Sequence, residues 1–325
     1  MKTILVAGGA GYIGSHTVKF LQNLGYKVVV LDNLVYGHIE AVLTEDFERI
    51  DLENKDAIDA IFKKYKIDAV IHFAGYTYVG ESVLNPKKYY QNNVVNTINL
   101  LDSMIENNVK NIVFSSTCAT YGNPQYTPID EKHPQNPINP YGQTKLMTEK
   151  IMADYDKAYG LKYITLRYFN AAGGDAEGQL GESHNPETHL IPLVLQVAKG
   201  ERTNITVFGT DYDTEDGTCI RDYIHVEDLA NAHMLAVEKL FNDGQSDCIN
   251  LGTGIGTSVK EIIDAVEKVT GKTVPVVYGE RREGDPAKLY AANAKAKEVL
   301  GWEPKYTEIC DIIKTAWLWE ENKKF

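Results

Sequence analysis

The chain lacks the features that mark membrane, secreted and nucleic-acid-binding proteins. Its 325 residues contain no apolar run of the roughly 18 residues that a membrane span needs. No apolar stretch near the N-terminus is followed by a small-residue cleavage site, so we expect no signal peptide and a cytoplasmic location. The formal net charge of −12 leaves no broad basic face. This charge argues against nucleic acid and anionic membranes as partners.

Cysteine is scarce, and no metal-site spacing is present. We expect the four cysteines to be reduced thiols that pack as small apolar groups. They are Cys118, Cys219, Cys248 and Cys310. His184 and His189 stand in a polar loop without further aligned ligands. We therefore predict no metal site.

Strand and helix patterns alternate through the first half of the chain. Short apolar runs such as Thr3–Ala7 are followed by longer stretches of helical periodicity, which predicts βαβ units. The predicted fold class is α/β, a Rossmann-type doubly wound parallel sheet with a smaller mixed α/β C-terminal domain. We place the first domain at residues 1–169 and the second at 170–325, and we expect residues 222–251 to return to the first sheet.

A glycine-rich loop follows the first predicted strand. Gly9, Gly11 and Gly14 fit the G-x-G-x-x-G pattern, and Gly8 adds a second glycine spacing. Glycine permits the tight turn and the close approach of backbone to a pyrophosphate, whose charge the helix N-terminus then stabilises. Asp32 ends the second strand and can accept hydrogen bonds from a ribose. The loop predicts an NAD-binding domain over residues 1–169.

A tyrosine and a lysine stand four residues apart at the start of a long predicted helix. Tyr141 and Lys145 would share one helical face, and Thr117 would end a parallel strand, where such sheets bind ligands. A nearby cation lowers the pKa of a phenol, and both Lys145 and the positively charged nicotinamide ring of NAD would act in this direction, so we predict that Tyr141 is a base near neutral pH. Tyr-x-x-x-Lys alone is common on solvated helix faces, and the prediction depends on the combination with Thr117.

Several longer strings are similar to those of a known family. In chain order they are Gly11-Tyr12-Ile13-Gly14-Ser15-His16, His72-Phe73-Ala74-Gly75, Val79-Gly80-Glu81-Ser82, Leu166-Arg167-Tyr168-Phe169-Asn170, Asp216-Gly217-Thr218, Arg221-Asp222-Tyr223-Ile224-His225-Val226 and Arg281-Arg282-Glu283-Gly284-Asp285. Over nearly the whole chain the sequence resembles the extended short-chain dehydrogenase/reductase family. The strings narrow this resemblance to the UDP-glucose 4-epimerases.

The resemblance implies a role for each matching residue. Tyr141 would be the catalytic base and acid, Lys145 would hold the nicotinamide ribose, and Thr117 would assist at the sugar hydroxyl. The implied NAD-binding residues are Gly8, Gly11, Tyr12, Ile13, Gly14, Asp32, Asn33, Asp51, Leu52, Phe73, Ala74, Gly75, Asn93, Lys145 and Tyr168. The implied UDP-hexose-binding residues are Thr117, Tyr141, Asn170, Phe208, Arg221, Tyr223, Arg282, Asp285 and Leu289.

The resemblance also implies the reaction. Tyr141 would remove the proton of the sugar 4-hydroxyl while the C4 hydride passes to NAD. After the keto sugar turns over, the hydride would return to the opposite face of C4 and Tyr141 would return the proton. Cys118 and Ala119 stand where 4,6-dehydratases carry an Asp-Glu pair, which weakens that alternative. Another nucleotide-sugar epimerase, such as a UDP-glucuronate 4-epimerase, a net dehydrogenase and a non-catalytic NAD-binding regulator remain alternatives.

Two further expectations follow from the family. A residue four positions after Asp285 gates the sugar pocket in the family, and a tyrosine there excludes 2-acetamido groups. Counting four positions from Asp285 gives Leu289, which predicts that the sugar pocket has room for UDP-N-acetylhexosamines. If the alignment with the family were shifted by one residue, Tyr290 would stand at this position and these sugars would be excluded. The helices predicted at Tyr89–Asn107 and Tyr141–Tyr159 resemble the pair that forms the family's homodimer.

Overall fold

The computed structural model describes residues 1–282 and 284–325, and Glu283, from the last string quoted above, lies outside the described residues. The strands in chain order are β1 (Thr3–Ala7), β2 (Lys27–Asp32), β3 (Phe47–Arg49), β4 (Ala69–His72), β5 (Asn111–Thr117), β6 (Lys162–Tyr168), β7 (Asn170–Ala172), β8 (Ile205–Phe208), β9 (Ile220–Arg221), β10 (Tyr223–His225), β11 (Asp247–Asn250), β12 (Thr257–Ser258), β13 (Val276–Gly279) and β14 (Lys288–Leu289).

The helices divide into those that cover the main sheet and those of the C-terminal part. In chain order they are α1 (Tyr12–Asn23), α2 (Lys55–Lys64), α3 (Val79–Leu84), α4 (Pro86–Tyr90), α5 (Asn96–Glu106), α6 (Pro140–Tyr159), α7 (Leu190–Lys199), α8 (Val226–Asn242), α9 (Val259–Thr270), α10 (Ala294–Leu300) and α11 (Ile309–Glu321). None of the helices in the described part of the chain is both long and apolar enough to cross a membrane.

Seven parallel strands form the main sheet, in the order β11-β6-β5-β4-β1-β2-β3. After β3 the chain crosses over to β4, which lies on the other side of β1 in the sheet. The position between β1 and β4 is therefore the switch point of a doubly wound fold. The predicted Rossmann-type α/β fold is therefore confirmed.

Alternating strand residues build a core on each face of this sheet. Ile4 and Val6 point to the face that α1 and α8 cover, whereas Leu5 and Ala7 point to the face that α2, α5 and α6 cover. All four side chains are fully buried. Burial on both faces explains why the strands are continuous apolar runs in the sequence.

The predicted helix at Tyr89–Asn107 consists of three parts. Asn85 caps α4, whose first residue is Pro86, and a π-helical turn at Gln91–Val95 joins α4 to α5. The π turn carries one extra residue and rotates the residues around it relative to a regular helix. Such turns are frequent at functional sites, and this one places Asn93 behind the cavity described below.

The C-terminal part is a set of short strand pairs packed on three helices. β8 pairs with β13, β7 with β10, and β9 with β12 and β14, while α7, α9 and α11 surround a separate apolar core. Within residues 222–251, α8 packs on the first core and β11 pairs with β6. We propose the division into an NAD-binding domain and a smaller substrate domain on this basis.

A buried ion pair joins α6 to β6 beneath the end of β5. The Arg167 guanidinium donates to both carboxylate oxygens of Glu149, at 2.9 and 2.6 Å, and the Ser116 hydroxyl donates to the same carboxylate at 2.6 Å. Both charged side chains are about 95% buried. The two hydrogen bonds between Arg167 and Glu149 offset the cost of burying the charges. This compensation is lost if either of these two residues is removed.

Arg167→Met should lower the free energy of unfolding by about 3–5 kcal/mol, because it leaves the Glu149 carboxylate buried without its partner. Lys162→Met is the matched control on the same strand, since Lys162 pairs with Asp156 at the surface. It should cost less than about 1 kcal/mol. Urea denaturation measures both, and equal losses would contradict this view of the pair.

Candidate active site

A cavity of about 590 Å³ opens at the carboxyl ends of β1, β2, β4 and β5. It lies at the β1–β4 switch point, where doubly wound sheets bind their ligands. Its walls come from the turn after β1, from the residues that follow β2 and β4, from the end of β5 and from the start of α6. The cavity therefore gathers the residues that the sequence places at the strand ends.

The glycine loop has no room for side chains at two positions. Gly8 has φ +84°, and a Cβ there would lie 2.5 Å from the backbone nitrogen of Ala74. A Cβ on Gly14 would lie 2.1 Å from the carbonyl oxygen of Gly8. Helix α1 then begins after Gly11 with no side-chain cap and no acidic residue in its first turn. Its first amides thus remain free to bind an anion.

Asp32 lies at the end of β2 beside this loop. Its carboxylate accepts hydrogen bonds from the backbone nitrogens of Ala10 at 3.0 Å and Leu34 at 2.8 Å. Burial raises the pKa of Asp32, and the backbone hydrogen bonds act against that rise. The neighbouring Asn33 amide donates to the Asp51 carboxylate at 2.7 Å. The contacts fix the carboxylate at the cavity wall, as expected for a ribose-binding aspartate.

Asn93 does not line the cavity, although it was predicted to bind the cofactor. Its amide group accepts a hydrogen bond from the backbone nitrogen of Tyr76 at 2.8 Å and donates to the Thr144 hydroxyl at 3.2 Å. The π turn directs the neighbouring Asn92 to the cavity instead. Asn93 therefore links the loop after β4 to α6 from behind the cavity wall.

Helix α6 begins very close to the end of β5. Asn139 caps the helix by accepting a hydrogen bond from the Gly142 nitrogen at 2.8 Å, and Pro140 is its first residue. A Cβ on Gly142 would lie 2.4 Å from the carbonyl oxygen of Ala119. Only glycine permits this approach, which brings the Tyr141 side chain to the Thr117 hydroxyl.

Lys145 is buried one helical turn later and is held by the end of β5. Its ammonium donates to the carbonyl oxygen of Ser115 at 2.7 Å and lies 4.7 Å from the centre of the Phe114 ring. An ammonium has three donors, so two remain for a ligand in the cavity. The Ser115 hydroxyl in turn shares a short hydrogen bond with the Tyr168 hydroxyl.

The pKa of Tyr141 differs from the sequence-based prediction. Burial raises the pKa of the phenol well above its ordinary value, and the hydrogen bond with Thr117 offsets only part of the rise. Burial also lowers the pKa of Lys145 to about 8. Of the two cations that the sequence analysis invoked, Lys145 does not lower the pKa of Tyr141 in the ligand-free chain, because Lys145 bonds to Ser115 and desolvation dominates.

These residues fit a dinucleotide. The glycine cradle leaves space where side chains would stand, α1 presents free amides, and Lys145 keeps two donors. Comparison with family models matches residues 4–252 to the NAD dependent epimerase/dehydratase family. The chain belongs to this family.

Individual relatives extend the match over the full length. The chain is 55% identical over 319 residues to the UDP-glucose 4-epimerase of Halalkalibacterium halodurans, covering 98% of this chain and 96% of that protein. It superimposes on the UDP-glucose 4-epimerase of Brucella ovis, solved in complex with NAD, with a TM-score of 0.96, 53% identity and 98% coverage of both chains. The enzyme of Bifidobacterium longum, solved with NAD⁺ and UDP, gives a TM-score of 0.93, 39% identity and 99% coverage of both. The resemblance to the UDP-glucose 4-epimerases is confirmed.

Most residues that the family resemblance assigns to NAD line the cavity. They are Gly8, Gly11, Tyr12, Ile13, Gly14, Asp32, Asn33, Asp51, Leu52, Phe73, Ala74, Gly75, Lys145 and Tyr168. Of the residues assigned to the UDP-hexose, those that line the cavity are Thr117, Tyr141, Asn170, Asp285 and Leu289.

The other four substrate-assigned residues lie outside the cavity lining. Arg221 donates to the Asp285 carboxylate at 3.3 Å, which keeps it next to the cavity edge. The Arg282 guanidinium lies 4.0 Å from the centre of the Phe208 ring. Tyr223 is buried in the C-terminal core, because its strand β10 pairs with β7. The side chain of Tyr223 therefore packs rather than faces a ligand.

Leu289, not Tyr290, faces the cavity. The ring of Tyr290 packs 3.3 Å from the position that a Cβ on Gly256 would take, while its carbonyl oxygen accepts a hydrogen bond from Ile129. Strand β14 ends at Leu289, and the alternation of a strand points the two neighbouring side chains apart. The alignment that counts four positions from Asp285 therefore agrees with the geometry.

The cavity has walls that the sequence analysis missed. Tyr36, Tyr76 and Tyr78 form an aromatic group in which the ring centres of Tyr36 and Tyr76 are 5.4 Å apart. Glu182, His184 and His189 also line the cavity, in a segment that Tyr78 contacts through its hydrogen bond to Pro186. The periodicity of the sequence gives no signal for these residues, since all of them lie in loops.

Gly14→Ala should weaken retention of NAD at least ~tenfold, because the new methyl group would overlap the carbonyl oxygen of Gly8. Gly80→Ala is the matched control, since a Cβ at this exposed helical position meets no atom within 4 Å. Chromatography of the nucleotide released on denaturation measures the bound NAD. Normal NAD content in Gly14→Ala would rule out this loop as the binding site.

Proposed function

We propose that the protein interconverts UDP-glucose and UDP-galactose by transient oxidation at C4 of the hexose, with NAD retained through turnover. The observation that carries this proposal is the meeting of Tyr141, Thr117 and Lys145 in the cavity that the glycine loop borders. Support comes from full-length relatives that are named for this reaction. The alternative of a non-catalytic regulator is disfavoured, because such a protein has no need of a buried Tyr-Lys pair.

Each group has a separate task in the proposed reaction. When bound, NAD supplies a hydride acceptor and donor at its nicotinamide ring. Tyr141 takes the proton of the sugar 4-hydroxyl and returns it on the other face of the sugar. The Thr117 hydroxyl, which is within reach of the Tyr141 phenol, orients the reacting oxygen. Lys145 holds the cofactor ribose with its two remaining donors.

The raised pKa of Tyr141 defines what the bound cofactor must contribute. In the ligand-free chain the phenol is a weak acid at neutral pH, because it is desolvated and Lys145 bonds elsewhere. The positive charge of oxidised NAD in the same cavity favours the phenolate. Proton removal by Tyr141 is therefore coupled to the presence of the oxidised cofactor, which limits the chemistry to the loaded enzyme.

Residues of the C-terminal part are proposed to hold the UDP group. Asn170 and Asp285 line the cavity, and Arg221 contacts Asp285 at its edge. Arg282 and Phe208 stack on one another on the neighbouring strand pair. A chain of net charge −12 needs local guanidinium groups to bind a diphosphate. Binding UDP firmly leaves the hexose free to turn over between the two hydride transfers.

Tyr141→Phe should lower turnover of UDP-galactose by about 10²–10⁴-fold, because it removes the only phenolic hydroxyl assigned to proton transfer. Tyr159→Phe is the matched control, since Tyr159 is exposed at the far end of the same helix. A coupled assay for UDP-glucose measures both variants. Turnover of Tyr141→Phe within a few-fold of the unsubstituted protein would refute the assignment.

We further propose that UDP-N-acetylhexosamines are substrates. Leu289 lines the cavity, whereas the bulky ring of Tyr290 packs against the backbone of Gly256. A leucine side chain lacks the phenol that would occupy the space of a 2-acetamido group. The sugar pocket then has room for both substrate classes.

Leu289→Tyr should lower turnover of UDP-N-acetylgalactosamine by about 100-fold, because the larger side chain fills the space for the acetamido group. Turnover of UDP-galactose should change much less. Leu289→Met keeps the volume and should accept both sugars. NMR assays with each substrate compare the variants, and an equal loss for both sugars would show that Leu289 does not select between them.

The proposed setting is a homodimer in the cytoplasm. Val95, at the end of the π turn, and Tyr159, at the end of α6, are exposed apolar residues on the two helices that resemble the family's dimer-forming pair. All four cysteines are free, which is consistent with a reducing compartment.

A further inference from the structure

The segment between β7 and α7 gathers two carboxylates and two imidazoles that the proposed reaction does not use. These residues, Glu182, His184, Glu187 and His189, are called the Glu-His cluster below. Glu182, His184 and His189 border the cavity, on the side of Tyr12. One potential ligand atom from each of the four side chains lies within 4.8 Å of all the others.

The two imidazoles converge on the same carboxylates. His189 Nδ1 lies 2.7 Å from Glu182 Oε1 and 3.1 Å from Glu187 Oε1. His184 Nδ1 lies 3.4 Å from Glu182 Oε1 and 3.5 Å from Glu187 Oε2. Zinc binds imidazole nitrogen and carboxylate oxygen at about 2.0–2.2 Å in tetrahedral sites, so its ligand atoms are about 3.3–3.5 Å apart. The spacing around His184 matches this value, whereas the two contacts of His189 are at hydrogen-bond distance and would have to lengthen around an ion.

Two buried atoms of the cluster have no hydrogen-bond partner in the described part of the chain. They are His184 Nδ1 and Glu187 Oε2. The backbone nitrogens of Thr188 and His189 donate to Glu187 Oε1 at 2.7 and 2.8 Å, which orients the carboxylate and directs Oε2 to His184. The Glu187 side chain exposes only 6% of its surface. A buried carboxylate oxygen of this kind costs stability unless a further group binds it.

The two carboxylates of the cluster are buried and need compensating positive charge. Glu182 and Glu187 expose only 7% and 6% of their side chains. Their ion pairs among residues 1–282 and 284–325 are with His184 and His189 alone. In the ion-free chain these carboxylates outweigh desolvation and raise the pKa of His184 to about 9 and that of His189 to about 10, so protonated imidazoles balance the charge. A divalent ion would replace the two imidazole protons and give the same balance of charge.

We propose that the Glu-His cluster binds one divalent transition metal ion, for which Zn²⁺ is the matching probe. Two imidazole nitrogens and two carboxylates complete a four-ligand site, as closed structural zinc sites require. The inference stands independently of the proposed reaction. It revises the sequence-based prediction of no metal, which treated His184 and His189 as ordinary loop residues.

The ion would fasten the segment to the cofactor side of the cavity. The edge of the Tyr12 ring meets the His184 ring at 6.4 Å between centres, and the Tyr12 hydroxyl donates to the Gly173 carbonyl oxygen at 2.6 Å. The Tyr78 hydroxyl donates to the carbonyl oxygen of Pro186 at 2.6 Å. Through these contacts the metal orders a long loop against the glycine loop and the aromatic group, and its role is structural.

The test is titration of the chelator-treated protein, with its NAD retained, against ZnCl₂ by calorimetry. We expect one Zn²⁺ per chain, and binding at least tenfold weaker in Glu187→Gln and in His189→Gln. Glu177→Gln is the matched control for Glu187→Gln, since it makes the same charge change in the same segment, while Glu177 is exposed and pairs with Lys19 alone among residues 1–282 and 284–325. Circular dichroism and NAD content verify that each variant is folded.

Two results would overturn the proposal. No uptake of Zn²⁺ by the unsubstituted protein would mean that the cluster is a network of protonated histidines and carboxylates. Uptake by Glu187→Gln and His189→Gln equal to that of Glu177→Gln would place the bound zinc elsewhere on the chain. If one ligand variant fails to fold, the other decides the question.

Discussion

The close approach of helix α6 to the end of strand β5 is the constraint on which the candidate site depends. Gly142 lacks the side chain that would collide with the carbonyl oxygen of Ala119, and this brings Tyr141 to Thr117. One turn later, Lys145 reaches the carbonyl oxygen of Ser115 at the same strand end. A shift of α6 by even a small distance would separate the phenol, the hydroxyl and the ammonium together.

The electrostatics of the site follow from its burial. The cavity walls desolvate Tyr141 and Lys145, which raises the pKa of the phenol and lowers that of the ammonium to about 8. Without a ligand the phenol is therefore neutral, whereas Lys145 stays mostly protonated at neutral pH. The positively charged nicotinamide ring of a bound oxidised dinucleotide would act against this preference and favour the phenolate, because the cavity is a space of low dielectric. Proton removal by Tyr141 therefore depends on the charge of the bound cofactor.

Local patterns were sufficient to predict the sheet, the position of the glycine loop and the meeting of Tyr141 and Lys145 in one cavity. The strands are continuous apolar runs and Gly8–Gly14 directly follows β1, so the order of elements is visible in the chain. Asn93 lies behind the cavity lining and not in it, because a π turn changes which face of a helix reaches the cavity, and its contact with the cofactor stays a prediction. The Glu-His cluster was missed, since its side chains meet only after a long loop folds back. The pKa of Tyr141 depends on burial, which spacing does not report.

The central claim is that one chain oxidises and reduces the same sugar carbon with a cofactor that it never releases. The direct measurement is NMR of UDP-galactose incubated in D₂O with the purified protein and no added NAD. The account predicts that UDP-glucose appears until the two sugars reach equilibrium, with ordinary hydrogen still at C4. Failure to convert the sugar unless NAD is added, or deuterium at C4 of the product, would contradict it.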